Sequence, residues 1–281
     1  MDGGVSFVAP GAVFRRIGRA SSVAVSAYVL EPHGAMARAL VTAADRGASV
    51  SVTLDGLDAR ATARELRAHG IRVSYGAPSG DDVHLKAAVV DGVAYLNDRN
   101  WSANDETIVA TSRASEVDAI RDAIAGRPRS VGRLATEKSA ALALEADAIR
   151  HGGDRIDVES ESFGASAISA ALRERVAAGA HVRLLVNARV AFERDSFRER
   201  ALLRDLAARG VEVRVAPAAE KLCVAGKRGW VGSANATYAG EPMTDWGLAL
   251  DDPAMLATLE DTFERNWSAG RPFATSCAEP R

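Results

Sequence analysis

The sequence predicts an α/β protein built from two copies of one unit, each a mixed and mostly parallel sheet flanked by helices. Helix-like stretches alternate with short strands rich in β-branched residues, which is typical of sheets covered by helices. The same run of segments then occurs a second time in the same order. Chance similarity of two alanine-rich helix–strand units is the simpler explanation, and three matched pairs of segments argue against it.

The first matched pair is a helix followed by a strand. Residues 36–54 (MARALVTAADRGASVSVTL) are similar to residues 168–186 (ISAALRERVAAGAHVRLLV), which lie 132 positions later. Each helix stops at a glycine, Gly47 or Gly179, and a glycine just after a helix accepts a positive φ angle at little cost. These glycines therefore mark the predicted helix ends.

Two further pairs complete the unit. Residues 66–73 (LRAHGIRV) match residues 206–213 (LAARGVEV), and residues 84–100 (HLKAAVVDGVAYLNDRN) match residues 219–235 (AEKLCVAGKRGWVGSAN). A further strand and a helix follow in both copies. Each copy is expected to run strand, helix, strand, helix, strand, strand, strand, helix.

The junction between the copies is predicted in the segment 126–133 (GRPRSVGR), whose Pro, Gly and Arg content suits a connector. We therefore expect one repeat over residues 1–125 and the other over residues 126–281. The second repeat is expected to open with a helix over residues 137–150.

Composition describes an ordinary globular chain of 281 residues, 47% hydrophobic and 26% charged, with a net charge of −2. This balance gives no global attraction to nucleic acid or to an anionic membrane. Two cysteines, Cys223 and Cys277, are too few for a disulfide framework and suit a reducing compartment. The sequence shows neither a membrane-spanning apolar run nor a secretion signal at residues 1–4. The expected location is the cytoplasm.

The third matched pair contains the candidate chemistry. In the first copy, His84 and Lys86 share one face of an extended strand because side chains alternate with a period of two. Asp91 begins the turn of a predicted hairpin. The second copy has Lys221 at the position of Lys86, and Asn235 at the position of Asn100.

The use of lysine supports this pairing independently. The chain has four lysines against 31 arginines, and two of the four fall at equivalent positions of the two copies. A compact ammonium rather than a guanidinium suits a tetrahedral phosphate held as a point charge. The alternative is two solvated lysines at strand edges.

The string H-x-K-x(4)-D followed by G-S-x-N, present twice in whole or in part, resembles the phospholipase D superfamily. The first copy matches at His84, Lys86, Asp91 and Asn100, and the second at Lys221, Gly232, Ser233 and Asn235. The resemblance extends from the strand at Val23 to the region of Trp267 and implies two phospholipase D-like repeats packed about a pseudo-twofold axis.

The resemblance also implies the chemistry. One histidine attacks phosphorus and forms a phosphohistidine, the other histidine protonates the leaving oxygen, and no metal or other cofactor is required. His84 is then the nucleophile, while Lys86, Lys221, Asn100 and Asn235 bind the phosphate together with Ser233 in the site. Glu106 is expected to orient His84, with Asp105 as a competitor, and Asp91 to support the hairpin.

The chain departs from the family pattern at three places. Ala219 replaces the second histidine, Gly226 replaces the second aspartate, and Asn97-Asp98 replaces the Gly-Ser of the first copy. Loss of a general acid typically costs about 10²–10⁴ in rate. Three alternatives for the missing proton donor remain open.

In the first alternative Glu220 or Asp245 supplies the proton; in the second His84 is the acid and another group attacks; in the third two chains pair their His84 side chains.

The leading hypothesis is a phosphodiesterase or phosphatidyltransferase, and the alternative is a catalytically impaired member that binds a phosphate-containing ligand. A scaffold without a ligand is the third hypothesis.

The substrate is expected to contain a phosphodiester, in a lipid headgroup, a nucleic acid or a small diester. No obligate protein partner is inferred, and the chain is expected to be a monomer or a homodimer. Tyr28 and residues 159–161 end the opening strands of the two copies and are expected at the rim of the site. Three tryptophans near the motifs, Trp101, Trp230 and Trp246, are expected to pack beneath it.

Overall fold

The computed structural model describes residues 4–55, 59–76, 84–101, 107–192, 197–217, 219–238 and 243–273. The chain divides into two compact units. The first consists of Met1–Ala140 together with Pro242–Trp246, and the second of Ala141–Glu241 together with Gly247–Arg281. A short segment from late in the chain thus belongs to the first unit. The repeat boundary after residue 125 stays a prediction about the duplication of the sequence.

The described strands and helices follow one order in both halves of the chain. The elements of the first half are β1 (Val5–Val8), α1 (Pro10–Ile17), β2 (Ser22–Ala27), α2 (Ala35–Asp45), β3 (Ser49–Leu54), α3 (Arg60–Ala68), β4 (Arg72–Tyr75), β5 (Ala87–Val90), β6 (Val93–Asn97), β7 (Ile108–Thr111), α4 (Ala114–Ile124) and β8 (Leu134–Ala135). The elements of the second half are α5 (Ala140–Arg150), β9 (Arg155–Ser160), α6 (Ala167–Ala177), β10 (His181–Asn187), α7 (Ala188–Ala191), α8 (Phe197–Ala208), β11 (Glu212–Ala216), β12 (Leu222–Ala225), β13 (Arg228–Gly232), β14 (Gly247–Leu250), α9 (Pro253–Ala269) and β15 (Arg271–Pro272).

Each unit contains a mixed sheet with helices, which confirms the predicted fold class. The first sheet has the order β1-β7-β6-β5-β2-β3-β4. Within the second unit the described strands lie in the order β15-β11-β10-β9-β12-β13-β14. Read from opposite ends, β4-β3-β2-β5-β6-β7 and β11-β10-β9-β12-β13-β14 are the same arrangement, so the duplication seen in the sequence is also a duplication of topology.

The parallel part of each sheet is smaller than predicted. In the first sheet, β2, β3 and β4 pair in parallel, whereas β5, β6, β7 and β1 join by antiparallel pairs. Helical crossovers connect the parallel strands, and a tight turn can connect only antiparallel ones. Each repeat also has four consecutive strands, β4 to β7 or β11 to β14, where the predicted run has three.

Apolar side chains at helical spacing fix the helices on the sheets. Met36, Leu40 and Ala43 of α2 are fully buried and follow the spacing i, i+4, i+7, which places them on one face. The N-terminus of α6 has a capping box formed by Ser166 and Ser169. Among the described residues, no helix is both long enough and apolar enough to span a bilayer.

Candidate active site

The first unit holds the complete copy of the motif. Residues 84–86 run directly into β5, and the register of β5 against β2 pairs Ala87 with Ser26. The first residue after β2, Tyr28, therefore lies beside His84 and Lys86. Both motif side chains are buried, with 6% of His84 and 2% of Lys86 exposed.

A carboxylate fixes the imidazole of His84. Nδ1 of His84 lies 2.7 Å from Oδ1 of Asp245, and the backbone N–H of His84 donates to the carbonyl oxygen of Thr244 at 3.0 Å. Because a carboxylate only accepts, the assigned tautomer has its proton on Nδ1, and Nε2 carries the lone pair. This arrangement prepares Nε2 to attack an electrophile and stabilises the imidazolium that would result.

Asp245 is the described residue that orients His84. Glu106 and Asp105, the predicted orienting residues, lie outside the described residues, and their role stays a prediction. From the sequence, Asp245 was expected only as a proton donor. One signal pointed to it, because Glu106 and Asp245 each lie two residues before equivalent strands, β7 at Ile108 and β14 at Gly247.

Lys86 and Tyr28 complete the surroundings of His84. Nζ of Lys86 donates to the carbonyl oxygen of His84 at 2.8 Å and lies 5.1 Å from the centre of the Tyr28 ring. The Tyr28 ring meets the imidazole edge to face, with 4.7 Å between the ring centres. Tyr28 therefore contacts both the imidazole and the ammonium, as its predicted place at the rim requires.

The end of β6 contributes amides and a buried carboxylate. Oδ1 of Asn100 accepts a hydrogen bond from the backbone N–H of Val29 at 3.3 Å, which ties it to the segment after Tyr28. The backbone oxygen of Asn97 accepts from Nε1 of Trp246 at 2.8 Å. Asp98, which replaces the serine of the family pattern in the first copy, is fully buried.

Asp91 lies at the other end of β5. Its carboxylate accepts hydrogen bonds from the backbone N–H groups of Ser21, at 3.1 and 3.3 Å, and Ser22, at 2.9 Å. Seven residues separate it from His84, and an extended chain rises about 3.3 Å per residue, so the two lie roughly 23 Å apart along the strand. The structure therefore does not bring Asp91 to His84, and its contacts tie the hairpin to the start of β2.

The second unit holds the incomplete copy. Lys221 directly precedes β12, is 1% exposed and places Nζ 2.6 Å from Oε2 of Glu161. The backbone N–H of Gly232 donates to the carbonyl oxygen of Lys221, which brings the buried Ser233 next to this segment. Oδ1 of Asn235 has no hydrogen-bond partner among the described residues. Ala219, at the position of the second histidine, is buried.

The predicted acid candidates have other contacts. The backbone N–H of Glu220 donates to Oε1 of Glu159 at 2.7 Å, and Nδ2 of Asn266 donates to the same oxygen at 2.9 Å. The Glu220 side chain is itself buried. Asp245 accepts from His84, as described above. Among the tryptophans, Trp101, Trp230 and Trp246 are all buried, which confirms their predicted packing role.

Comparison with known proteins agrees with the motif. A family model of the phospholipase D-like domain of cardiolipin synthase matches residues 146–267, which is most of the second repeat. Residues 146–267 are therefore similar to a phospholipase D-like domain, as the motif predicts. The family model thus detects the repeat whose motif is incomplete, while the full string H-x-K-x(4)-D lies in the other. No curated protein matches this chain by sequence.

Solved structures share its fold. Phosphatidylserine synthase from Haemophilus influenzae Rd KW20 is 12% identical, with a TM-score of 0.73, over 98% of this chain and 89% of that one. Polyphosphate kinase from Porphyromonas gingivalis is 17% identical, with a TM-score of 0.72, over 97% of this chain. This chain spans about half of that kinase, 48% of its length. Both likenesses concern the fold.

Proposed function

We propose that this protein is a phosphodiesterase or phosphatidyltransferase in which Nε2 of His84 attacks phosphorus. The observation that carries the proposal is the 2.7 Å contact between Nδ1 of His84 and the carboxylate of Asp245, which sets the tautomer of a buried imidazole. The match of the second repeat to a phospholipase D-like domain supports phosphodiester chemistry as the reaction class.

The proposed reaction has two displacements. In the first, a bond forms between Nε2 and phosphorus, the bond from phosphorus to the leaving oxygen breaks, and that oxygen takes up a proton. Asp245 stabilises the positive charge that develops on the imidazole ring. In the second, water or an alcohol attacks phosphorus and loses its proton, and the bond to Nε2 breaks. Hydrolysis results with water and transfer with an alcohol.

The other motif residues keep the roles that the family resemblance implies. The ammonium of Lys86 would stabilise charge on the phosphoryl oxygens, since its buried position limits screening by water. Lys221, Asn100, Asn235 and Ser233 are the further proposed phosphate ligands. Because Ala219 replaces the second histidine, we propose that the preferred substrates have acidic leaving groups, which depart without full protonation.

The substrate class follows the same logic. A phosphodiester in a lipid headgroup, a nucleic acid or a small diester fits the proposed displacement. The proposed oligomeric state is a monomer or a homodimer. A reducing cytoplasm is the proposed location, since the cysteine within the described residues, Cys223, is buried and free.

The test is turnover of bis(p-nitrophenyl) phosphate, whose leaving group is acidic. We expect His84→Ala to lower the release of p-nitrophenol by at least about 10³-fold, because it removes the nucleophile. The matched control is His69→Ala, which removes an imidazole that pairs with Asp45 at the surface of the same unit. That variant should keep the wild-type rate. Full turnover in His84→Ala would contradict the proposal.

A second measurement identifies the intermediate. Rapid denaturation in alkali preserves the bond between nitrogen and phosphorus, and mass spectrometry of the digested chain should then show a phosphoryl adduct on the peptide containing His84. The same peptide from His84→Ala should carry none.

The second candidate function is a protein that binds a phosphate-containing ligand without turnover. The absence of the second histidine and the second aspartate favours it. It predicts no reaction with any diester, together with a rise in melting temperature with phosphate that is lost in Lys86→Ala and Lys221→Ala. Detection of the phosphohistidine eliminates it, and a scaffold without a ligand would show neither effect.

A further inference from the structure

A second cluster of basic side chains lies in the first unit, away from His84. A cavity of about 510 Å³ is lined by residues of β1, of α1 and the turn that follows it, and of the β5–β6 hairpin. Its polar lining consists of Arg15, Arg16, Arg19, Asp91 and Tyr95. We call this cavity the arginine pocket.

The three guanidinium groups have no ion pair within the described residues. Many other arginines of the chain do pair with a carboxylate, as Arg133 does with Glu116 at 3.0 Å. The side chains of Arg15, Arg16 and Arg19 are exposed along the cavity, and three like charges in one cavity repel each other. A ligand with several negative charges would relieve that repulsion.

Asp91, the carboxylate among the described lining residues, is already engaged. Asp91 accepts its three hydrogen bonds from the backbone N–H groups of Ser21 and Ser22. It forms no ion pair with any arginine in the part of the chain that the structure describes. Those bonds stabilise the negative charge of Asp91. Since three guanidinium groups stand against this one carboxylate, the described lining has an excess of positive charge.

Tyr95 supplies a neutral donor. Burial raises the pKa of Tyr95, and the charge of Arg16 lowers it in part, so the hydroxyl keeps its proton at neutral pH. Arg16 and Tyr95 both line the cavity. The pocket therefore combines three fork-shaped cationic donors with one hydroxyl donor.

We propose that the arginine pocket binds a small ligand that carries at least two phosphoryl groups. Guanidinium groups match phosphate oxygens two at a time, and three of them exceed what one phosphoryl group needs. The volume lies within the usual range for small-molecule sites. The only aromatic ring among the described lining residues, Tyr95, is buried, so the pocket offers no exposed platform for stacking bases of a nucleic acid.

The pocket is separate from the proposed catalytic residues. Asp91 lies at its edge, roughly 23 Å along the strand from His84 by the usual rise per residue. The inference therefore goes beyond the proposed function and holds whether or not His84 is catalytic.

The test is isothermal titration with inorganic pyrophosphate at constant ionic strength. The Lys86→Ala/Lys221→Ala variant is used so that the proposed catalytic lysines do not contribute. We expect one site per chain, binding that is at least tenfold weaker for orthophosphate, and a loss of at least tenfold for each of Arg15→Ala, Arg16→Ala and Arg19→Ala.

The matched control removes the same charge elsewhere. The triple variant Arg46→Ala/Arg60→Ala/Arg64→Ala takes three exposed arginines of the same unit that do not line the pocket. It should bind pyrophosphate as the parent does. Equal weakening in the control would mean non-specific attraction and would overturn the proposal, as would unchanged binding in Arg15→Ala/Arg16→Ala/Arg19→Ala or no binding in the parent.

A second measurement needs no variant. Hydrogen exchange of the wild-type chain with and without pyrophosphate should show added protection in residues 10–20 and 91–95. Protection confined to residues 84–86 and 219–222 would overturn the proposal, because it would place the anion at the motif lysines.

Discussion

Two equivalent lysines of this protein have different partners. Ser26 pairs with Ala87 in the first sheet and Glu159 with Leu222 in the second, so Tyr28 and Glu161, two residues further on, occupy the same place. Lys86 lies over the ring of Tyr28, whereas Lys221 pairs with the carboxylate of Glu161. A lysine kept in a motif therefore does not guarantee the same charge around it.

The aspartate position differs for a structural reason. In the first repeat, the carboxylate of Asp91 ties the hairpin to the start of β2. In the second, Gly226 allows the backbone to approach directly, and the N–H of Gly153 donates to the carbonyl oxygen of Ala225 at 3.3 Å. A Cβ at Gly152 would lie 2.3 Å from that of Ala225. Loss of the second aspartate thus changes a packing contact.

The largest expected effect is on kcat, and it distinguishes the roles of the two acidic residues that precede β7 and β14. Asp245→Asn should lower kcat for bis(p-nitrophenyl) phosphate by about 10²- to 10⁴-fold, because the amide cannot hold the same tautomer of His84. Glu106→Gln should leave kcat close to wild type, since Asp245 already occupies Nδ1. The curve of kcat against pH should change shape in Asp245→Asn. In Asp245→Glu, which keeps a carboxylate, kcat should recover in part. Equal losses in Asp245→Asn and Glu106→Gln would contradict the assignment.

The next effect concerns the partners of the lysines. Glu161→Gln should strengthen the inhibition of turnover by inorganic phosphate by about tenfold, because it removes a negative charge beside Lys221. Tyr28→Glu should weaken the inhibition by a similar factor. The inhibition constants of both variants check this, with Glu260→Gln, an exposed residue of α9, as the control. A constant unchanged by Glu161→Gln would mean that Lys221 does not hold phosphate.

A smaller effect concerns stability, and it tests whether the residue at the aspartate position has a structural or a catalytic role. Asp91→Ala should lower the free energy of unfolding by about 2 kcal/mol, because the backbone N–H groups of Ser21 and Ser22 lose a charged acceptor. Gly152→Ala should lower it by about 1–3 kcal/mol through overpacking. Urea unfolding measures both. Below the melting temperature, kcat should stay at the wild-type value in each variant, and a lower kcat in Asp91→Ala alone would restore a catalytic role.

The smallest effect depends on pH and compares α1 with α5. In α1, Val13 lies four residues before the buried Ile17, and in α5, Glu145 lies four residues before the buried Ile149. The carboxyl group of Glu145 therefore occupies the position that the apolar Val13 has in α1. Burial raises the pKa of Glu145 well above its usual value. The folded chain thus holds this proton more tightly than the unfolded chain does. The stability that the proton brings is complete at low pH and is lost as the pH rises above the unfolded value near 4.5.

Glu145→Gln should remove this loss. We expect a rise in melting temperature of about 3 °C at pH 8 and little change at pH 4, measured by differential scanning calorimetry. Glu260→Gln should show no such difference between the two pH values. An equal gain at both pH values would mean that the variant acts through packing alone.

Much of the fold followed from local patterns. The glycines that end α2 and α6, the repeated helix–strand units and the two lysines were sufficient to predict two related α/β units. The contact between His84 and Asp245 was beyond such patterns, because 161 positions separate the two residues and nothing local links them. The pairing of Lys221 with Glu161 was missed for the same reason. It depends on the register between β9 and β12, which no stretch of sequence states by itself.

The place of Asp245 in the chain has a consequence for biosynthesis. The segment Pro242–Trp246 belongs to the first compact unit but is translated after most of the second. A ribosome must therefore have translated the chain as far as residue 245 before the imidazole acquires its carboxylate. Nascent chains that end before Asp245 therefore carry His84 without the carboxylate that lies on its Nδ1.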